Sequence, residues 1–160
     1  MSTDILNKLE GILRGKVIIL GIGNPIRGDD AIGSVLAERL VGKISVRVYN
    51  GGSSPENLLG KIVQENPDTV LIVDAVDFGG AFGDLDIFNS ENIKTANLFS
   101  THNLSPRLIF DFLKEYTQAK TYLLAIQPKS IDLGDKMSLE IEDRLNLLTD
   151  WFIEQYPVLK

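Results

Sequence analysis

The feature that most constrains the fold is a strand pattern, a glycine-rich loop and a helix start, which follow one another between Lys16 and Gly33. The apolar run Val17 to Leu20 is rich in β-branched residues, as is typical of a strand buried on both faces of a parallel sheet. Glycines and an Asn-Pro pair then interrupt the run, and apolar residues return at helical spacing. Asp29 and Asp30 stand between the loop and the helix, at the sheet edge where ligands bind in open α/β folds.

The loop departs from both common phosphate-binding glycine motifs. A dinucleotide-binding loop needs a third glycine three positions after the second, and Ile26 occupies that position. Gly23 and Gly28 have the spacing of a GxxxxGK loop, but Asp29 and Asp30 replace its Lys and Ser. Two carboxylates repel a phosphate and suit a metal cation or a proton acceptor. A structural alternative stays open, because Asp is a favoured N-cap residue and either carboxylate could cap the helix.

Composition limits the partners and cofactors that we expect. The net charge of -6 argues against nucleic acid or an anionic membrane surface as a partner. No apolar run approaches the roughly 18 residues of a membrane span, and the charged amino end does not resemble a signal peptide. Cysteine is absent, so any metal must be held by oxygen and imidazole ligands. We therefore expect one cytoplasmic domain over residues 1–160, in which the single histidine is His102.

Apolar strand patterns alternate with helical patterns along the rest of the chain. This alternation predicts an α/β fold, with a mostly parallel sheet of about five strands sandwiched between helices. A short amphipathic helix is expected before Gly15, and further helices follow the strands. The predicted strands are Val17 to Leu20, Ile44 to Tyr49, Thr69 to Val73, Leu85 to Phe88 at an edge, and Lys120 to Ile126.

Candidate metal ligands recur where strands end or helices begin. Asp30 follows the first strand, Asp74 follows the run TVLIV, and His102 precedes a helix. Since the carboxyl ends of parallel strands share one edge, the three can converge as a facial site for a divalent metal such as nickel or zinc. Such a site could polarise a carbonyl or acidify a bound water. Structural roles stay open for each, and Asp77, like Asp74, could finish its strand by accepting backbone amides. Candidate caps of the helix after His102 are Ser100, Thr101 and Asn103.

Five blocks stand in a fixed order over most of the chain. They are GIGNPIRGDDAIG from Gly21, NGGSSPENLLG from Asn50, LIVDAVDFGG from Leu71, STHNLSPRLIFDFLKE from Ser100 and AIQP from Ala125. Together they resemble the maturation endopeptidases of nickel-iron hydrogenases. The resemblance is greatest to the branch that processes the large subunit of formate-hydrogenlyase-type hydrogenase, where the loop has Asp-Asp and the histidine sits in Thr-His-Asn.

The resemblance implies a twisted sheet between helices and an endopeptidase that removes a short carboxyl-terminal extension from the large-subunit precursor after nickel insertion. Cleavage would follow a basic residue just beyond the last cysteine ligand of the precursor's nickel site. The metal-contacting and catalytic residues of the family carry over to Asp30, Asp74 and His102. Asn50 stands where several relatives have Asp. Residues implied to shape the loop or support the cofactor site are Asn24, Gly28, Asp29, Gly51, Gly52 and Asp77.

The resulting hypothesis is that cleavage depends on the presence of nickel in the precursor. The three ligands would complete the coordination of the nickel already seated in the precursor and so license cleavage, and zinc or cadmium could occupy the site in vitro. Whether the enzyme is aspartyl-type or metal-dependent stays open, with Asp29 or Asp77 as a candidate base. A serine triad is not expected, because there is one histidine and no GxSxG elbow. The expected partner is the nickel-loaded precursor, bound by a monomer. The alternatives are a non-catalytic nickel-binding adaptor for hydrogenase assembly and a nucleotide-binding oxidoreductase.

Overall fold

The computed structural model describes residues 2–100 and 105–159. Within them, five strands form one sheet in the order β2-β1-β3-β5-β4. The first four of these run parallel, and β4 pairs antiparallel with β5 at an edge. The strands are β1 (Val17–Ile22), β2 (Arg47–Gly52), β3 (Thr69–Ala75), β4 (Leu85–Phe88) and β5 (Lys120–Ile126). The α-helices are α1 (Ser2–Ile12), α2 (Ile32–Leu40), α3 (Leu59–Gln64), α4 (Pro106–Tyr116) and α5 (Leu139–Gln155).

The two faces of the sheet are buried under different helices. In β1, Val17 and Ile19 belong to one apolar cluster, whereas Ile18 and Leu20 belong to the other. This alternation is the two-residue period of a strand, and it explains why β1 is an uninterrupted apolar run. The first cluster includes residues of α1, α2 and α5, and the second includes residues of α3 and α4. The predicted α/β fold, with a mostly parallel sheet between helices, is therefore confirmed.

Some predicted bounds differ from the structure: β1 and β3 each extend two residues further than predicted, to Ile22 and Ala75. The strand predicted over Ile44 to Tyr49 is β2, which begins at Arg47 and continues through Gly52, while Ile44 makes only an isolated bridge to Pro157. The strand runs further because the pairing with β1 resumes past an irregularity, where Ile22 aligns with Gly52.

The cap of α4 also differs from the prediction. It is Ser105, whose hydroxyl oxygen accepts a 3.4 Å bond from the amide of Leu108, rather than Ser100. Thr101 and Asn103 lie outside the described residues. The helix begins later than expected because Pro106 occupies its first position, and the proline ring is already set for that place.

Three short 3₁₀ turns complete the described part of the chain: Gly28–Ala31 before α2, Pro55–Leu58 before α3, and Asn92–Lys94 before α4. The first of them carries the acidic pair. No helix within residues 2–100 and 105–159 is both long and apolar enough to cross a bilayer.

Candidate active site

Two glycines set α2 directly on the carboxyl end of the sheet. A Cβ atom on Gly33 would lie 2.2 Å from the carbonyl oxygens of both Ile22 and Val73. A Cβ atom on Gly21 would lie 2.1 Å from the carbonyl oxygen of Gly33. Both distances are far inside van der Waals contact, so only glycine permits this approach. The first turn of α2 is thereby fixed against the ends of β1 and β3.

Hydrogen bonds also join the carboxyl end of β2 to the glycine loop and to α2. The amide of Gly23 donates to the carbonyl of Gly52 at 2.9 Å. The side-chain oxygen of Asn50 accepts from the hydroxyl of Ser34 at 2.9 Å and from the amide of Gly52 at 3.0 Å. Gly52 has a φ of +54°, which favours glycine. Asn50 and Gly52 therefore connect β2, the glycine loop and α2, and Gly51 lies between them.

Asp30 lies in the 3₁₀ turn and has only 1% of its surface exposed. One of its carboxylate oxygens accepts from the amide of Asn24 at 3.2 Å, and the Asn24 side chain accepts from the amide of Ile26 at 3.2 Å. The alternative that the acidic pair caps its own helix is wrong. The N-cap positions of the turn and of α2 belong to Arg27 and Ala31, and neither shows a side-chain capping bond.

Asp29 is fully buried and faces a different part of the molecule. Its carboxylate accepts from the amides of Lys129, Ser130 and Ser138 and from the Ser138 hydroxyl. Consecutive side chains of a 3₁₀ helix point about 120° apart, so the two carboxylates serve different surroundings. The resemblance implies that Asp29 shapes the loop, and in the structure its bonds join that loop to the segment between β5 and α5.

Asp74 is the penultimate residue of β3 and is fully buried. It aligns with Ala125 of β5. Its neighbours two residues away, Ile72 and Val76, belong to the apolar cluster beneath α3 and α4, so strand alternation places Asp74 on that face. The 3₁₀ turn that carries Asp30 contacts β3. The structure thus places Asp30 and Asp74 at the carboxyl ends of neighbouring strands.

Asp77 follows β3 and is exposed. One carboxylate oxygen accepts from the amide of Gly79 and from the side-chain nitrogen of Gln127, each at 3.0 Å. Its backbone amide and carbonyl both pair with Phe99 at 3.0 Å. Asp77 therefore organises the loop after β3 and joins it to the segment that leads towards α4.

Gln127 supports the loop after β3, and no role was assigned to it from the sequence. It is 5% exposed, and its side-chain oxygen accepts from the amides of Phe78 at 2.9 Å and Gly80 at 3.0 Å. Its side-chain nitrogen donates to Asp77, as described above. The available signal was its position, because it is the first residue after β5 and so stands at the same sheet edge as the acids.

His102 lies outside the described residues, so its predicted convergence with Asp30 and Asp74 stays a prediction. Across residues 2–100 and 105–159, no three His, Cys, Asp or Glu side chains form a cluster suited to a metal ion. In the predicted set, Asp30 and Asp74 would contribute the oxygen ligands and His102 the imidazole. Oxygen and imidazole ligands suit divalent zinc and nickel.

Comparison with known proteins defines the class. The family model described as hydrogenase maturation protease matches residues 31–155, which is more than half of the chain. The chain therefore belongs to the family of hydrogenase maturation proteases, and it is a hydrolase. The predicted resemblance is confirmed, and the protease interpretation is favoured over the adaptor and oxidoreductase alternatives.

Within that family, the chain is similar to proteases named for hydrogenase 3. It is 34% identical to the hydrogenase 3 maturation protease of Escherichia coli K12 over 128 residues, which cover 79% of this chain and 81% of the relative. The crystal structure of the hydrogenase maturation protease HycI from Thermococcus kodakarensis matches with a TM-score of 0.78 and 36% identity, over 94% of this chain and 97% of that one. The solution structure of the endopeptidase HycI from Escherichia coli matches with a TM-score of 0.76 and 31% identity, over 88% and 90%.

Proposed function

We propose that this protease removes the carboxyl-terminal extension from the large-subunit precursor of a nickel-iron hydrogenase after nickel has been inserted. The observation that carries the proposal is the pair of buried carboxylates, Asp30 and Asp74, at neighbouring strand ends of a hydrogenase maturation protease. Carboxylate oxygens, together with imidazole nitrogen, are ligands that divalent zinc and nickel accept in proteins. Two carboxylates at this edge of the sheet are therefore suited to a cationic group of the substrate.

The cation in this proposal is the nickel of the precursor, which belongs to the substrate. Asp30, Asp74 and His102 would complete its coordination, and zinc or cadmium would replace it in vitro. A divalent ion at the cleavage site polarises the carbonyl or lowers the pKa of a water. Cleavage would then depend on a correctly loaded precursor.

Of the two candidate bases that the sequence suggested, Asp29 and Asp77, the contacts disfavour Asp29. An ionised carboxylate has about four positions that accept hydrogen bonds. Asp29 receives bonds from three amides and one hydroxyl, so its accepting positions are filled by the protein. We therefore assign the base to the other candidate, Asp77, one of whose carboxylate oxygens accepts the bonds from Gly79 and Gln127.

Intact mass spectrometry tests the proposal. Nickel-loaded and nickel-free precursor are each incubated with the unmutated protein, with Asp74→Asn and with His102→Ala. Asp143→Asn is the matched control, because Asp143 is exposed on α5. We expect a loss of mass at the carboxyl end only for nickel-loaded precursor with the unmutated protein or the control. The two site variants should lose at least about a hundredfold in rate.

The other outcomes separate the parts of the proposal. Binding of the cognate precursor without any loss of mass would favour the adaptor. Equal cleavage of loaded and nickel-free precursor would overturn the dependence on nickel but keep the endopeptidase. Full activity of both site variants would show that the site is elsewhere. We also propose a cytoplasmic monomer, which light scattering and cell fractionation would test.

A further inference from the structure

The buried carboxylate of Asp29 joins two segments that are about a hundred residues apart in the chain. One oxygen accepts from the amides of Lys129 at 2.8 Å and Ser130 at 3.0 Å. The other accepts from the amide of Ser138 at 2.7 Å. The Ser138 hydroxyl lies 2.7 Å and 2.8 Å from the two oxygens. All of these donors lie between β5 and α5.

Backbone bonds hold the same two segments together. The amide of Asp29 donates to the carbonyl of Ser130 at 2.8 Å, and the amide of Gly28 donates to Asp135 at 3.1 Å. In the opposite direction, the amide of Gly134 donates to Ile26 at 2.7 Å. Gly28 has a φ of +57°, and a Cβ atom there would lie 2.7 Å from the carbonyl oxygen of Ser130. The acidic loop and the β5–α5 loop therefore form one packed unit.

Ser138 has the position of a helix cap but not its usual bond. It is the N-cap residue of the 17-residue helix α5, and it makes no side-chain capping bond to that helix. A serine in this place ordinarily accepts from an amide of the first turn, which is worth about 1 kcal/mol. Here the hydroxyl group instead contacts Asp29. The arrangement thus favours the Asp29 contact over the local cap.

We propose that Ser138 and Asp29 act together as positioning residues for Asp30. Asp29 and Asp30 are adjacent in one 3₁₀ turn, so a shift of the first backbone position moves the second. The other side of Asp30 is defined by its bond from the Asn24 amide. The Asp29–Ser138 contact fixes the 3₁₀ turn against the β5–α5 loop. It thereby fixes the position of the Asp30 carboxylate. This inference rests on the proposed role of Asp30 in cleavage.

The test compares Ser138→Ala, which removes the hydroxyl, with Ser138→Thr, which keeps one. Ile62→Ala is the control for lost stability, because Ile62 is fully buried in α3 and packs in the other apolar cluster. Two readouts are measured: kcat and KM on nickel-loaded precursor, and hydrogen exchange of the Asn24 amide. Misplacement of a reacting group lowers the rate of the chemical step more than it weakens substrate binding.

We expect Ser138→Ala to lower kcat by about tenfold, to leave KM within about twofold, and to speed exchange at Asn24 selectively. Ser138→Thr should have nearly the same kcat and the same Asn24 exchange rate as the unmutated protein. Asp29→Asn should lower kcat by about a hundredfold, because its side-chain NH₂ group would face amide donors. Ile62→Ala should melt at a lower temperature with little change in kcat.

Two results would overturn the inference. One is unchanged kcat and unchanged Asn24 exchange in Ser138→Ala. The other is an equal fall in kcat for Ser138→Ala and Ile62→Ala at matched loss of stability, since a general structural role would produce that. If the unmutated protein cleaves no precursor, the proposed function fails, while selective exchange at Asn24 still reports the positioning contact.

Discussion

Gly33 offers a direct test of how the site is built. It is the second residue of α2, and Gly60 is the second residue of α3, so the two positions are matched in their helices. Alanine in place of glycine inside a helix gains about 0.5–1 kcal/mol from propensity alone. At Gly60, a Cβ atom would meet nothing within 4 Å. We therefore expect Gly60→Ala to be more stable than the unmutated protein.

At Gly33 we expect the substitution by alanine to lower the stability of the protein instead. The new Cβ atom would lie 2.2 Å from two carbonyl oxygens and 2.8 Å from the amide nitrogen of Ile22. These are backbone atoms of β1 and β3, which cannot rotate away as a side chain would. Overpacking of this kind costs about 1–3 kcal/mol, and backbone contacts on two sides favour the upper end. After the propensity gain, Gly33→Ala should lose about 2 kcal/mol.

Thermal unfolding followed by circular dichroism measures both changes. For a chain of this size, 1 kcal/mol moves the midpoint by about 2–4 °C. Gly33→Ala should therefore melt about 4–8 °C lower, and Gly60→Ala about 1–4 °C higher. At temperatures below its melting point, Gly33→Ala should also cleave the precursor more slowly, because α2 must move away from the ends of β1 and β3, near which Asp30 and Asp74 lie. If Gly33→Ala melts at or above the unmutated protein, the proposed close packing is wrong.

Two further changes test the electrostatics and the loop after β3. The hydrogen bond from Tyr49 lowers the pKa of Glu65 below its ordinary value of 4.5, with help from Arg47. Because the pKa of Glu65 is lower in the folded protein than in the unfolded chain, the ionised carboxylate stabilises the fold at pH values above 4.5. This stabilisation disappears as the pH falls through the pKa of the folded protein. Tyr49→Phe should therefore flatten the loss of stability on acidification, measured as urea midpoints at about pH 7 and about pH 3; an unchanged pH dependence would contradict this. Gln127→Leu should leave the half-buried amides of Phe78 and Gly80 without their acceptor and destabilise the protein by about 1–3 kcal/mol, with reduced cleavage. Cleavage and unfolding assays would show it, and a variant as stable and active as the unmutated protein would refute it.

The architecture could be predicted from the sequence, because the spacing of apolar residues specifies which face each strand and helix buries. The run Val17 to Leu20 predicted a doubly buried strand, and α5 follows the helical spacing of Ile141, Leu145, Leu148 and Phe152. The rule that parallel strands share one carboxyl edge then directed attention to Asp30 and Asp74. Their edge position needed no tertiary information beyond that rule.

The contacts of the polar side chains could not be predicted in the same way, because they depend on which distant segments the fold brings together. Asp29 and Asp30 are chemically identical neighbours, yet one accepts bonds from the β5–α5 loop and the other from Asn24. Ser138 has the sequence position of an ordinary cap, and its hydroxyl contacts Asp29 instead. The physical reason is that periodicity specifies the direction of a side chain relative to its own element, whereas a hydrogen bond also requires a partner. For Asp29, that partner comes from a segment about a hundred residues away.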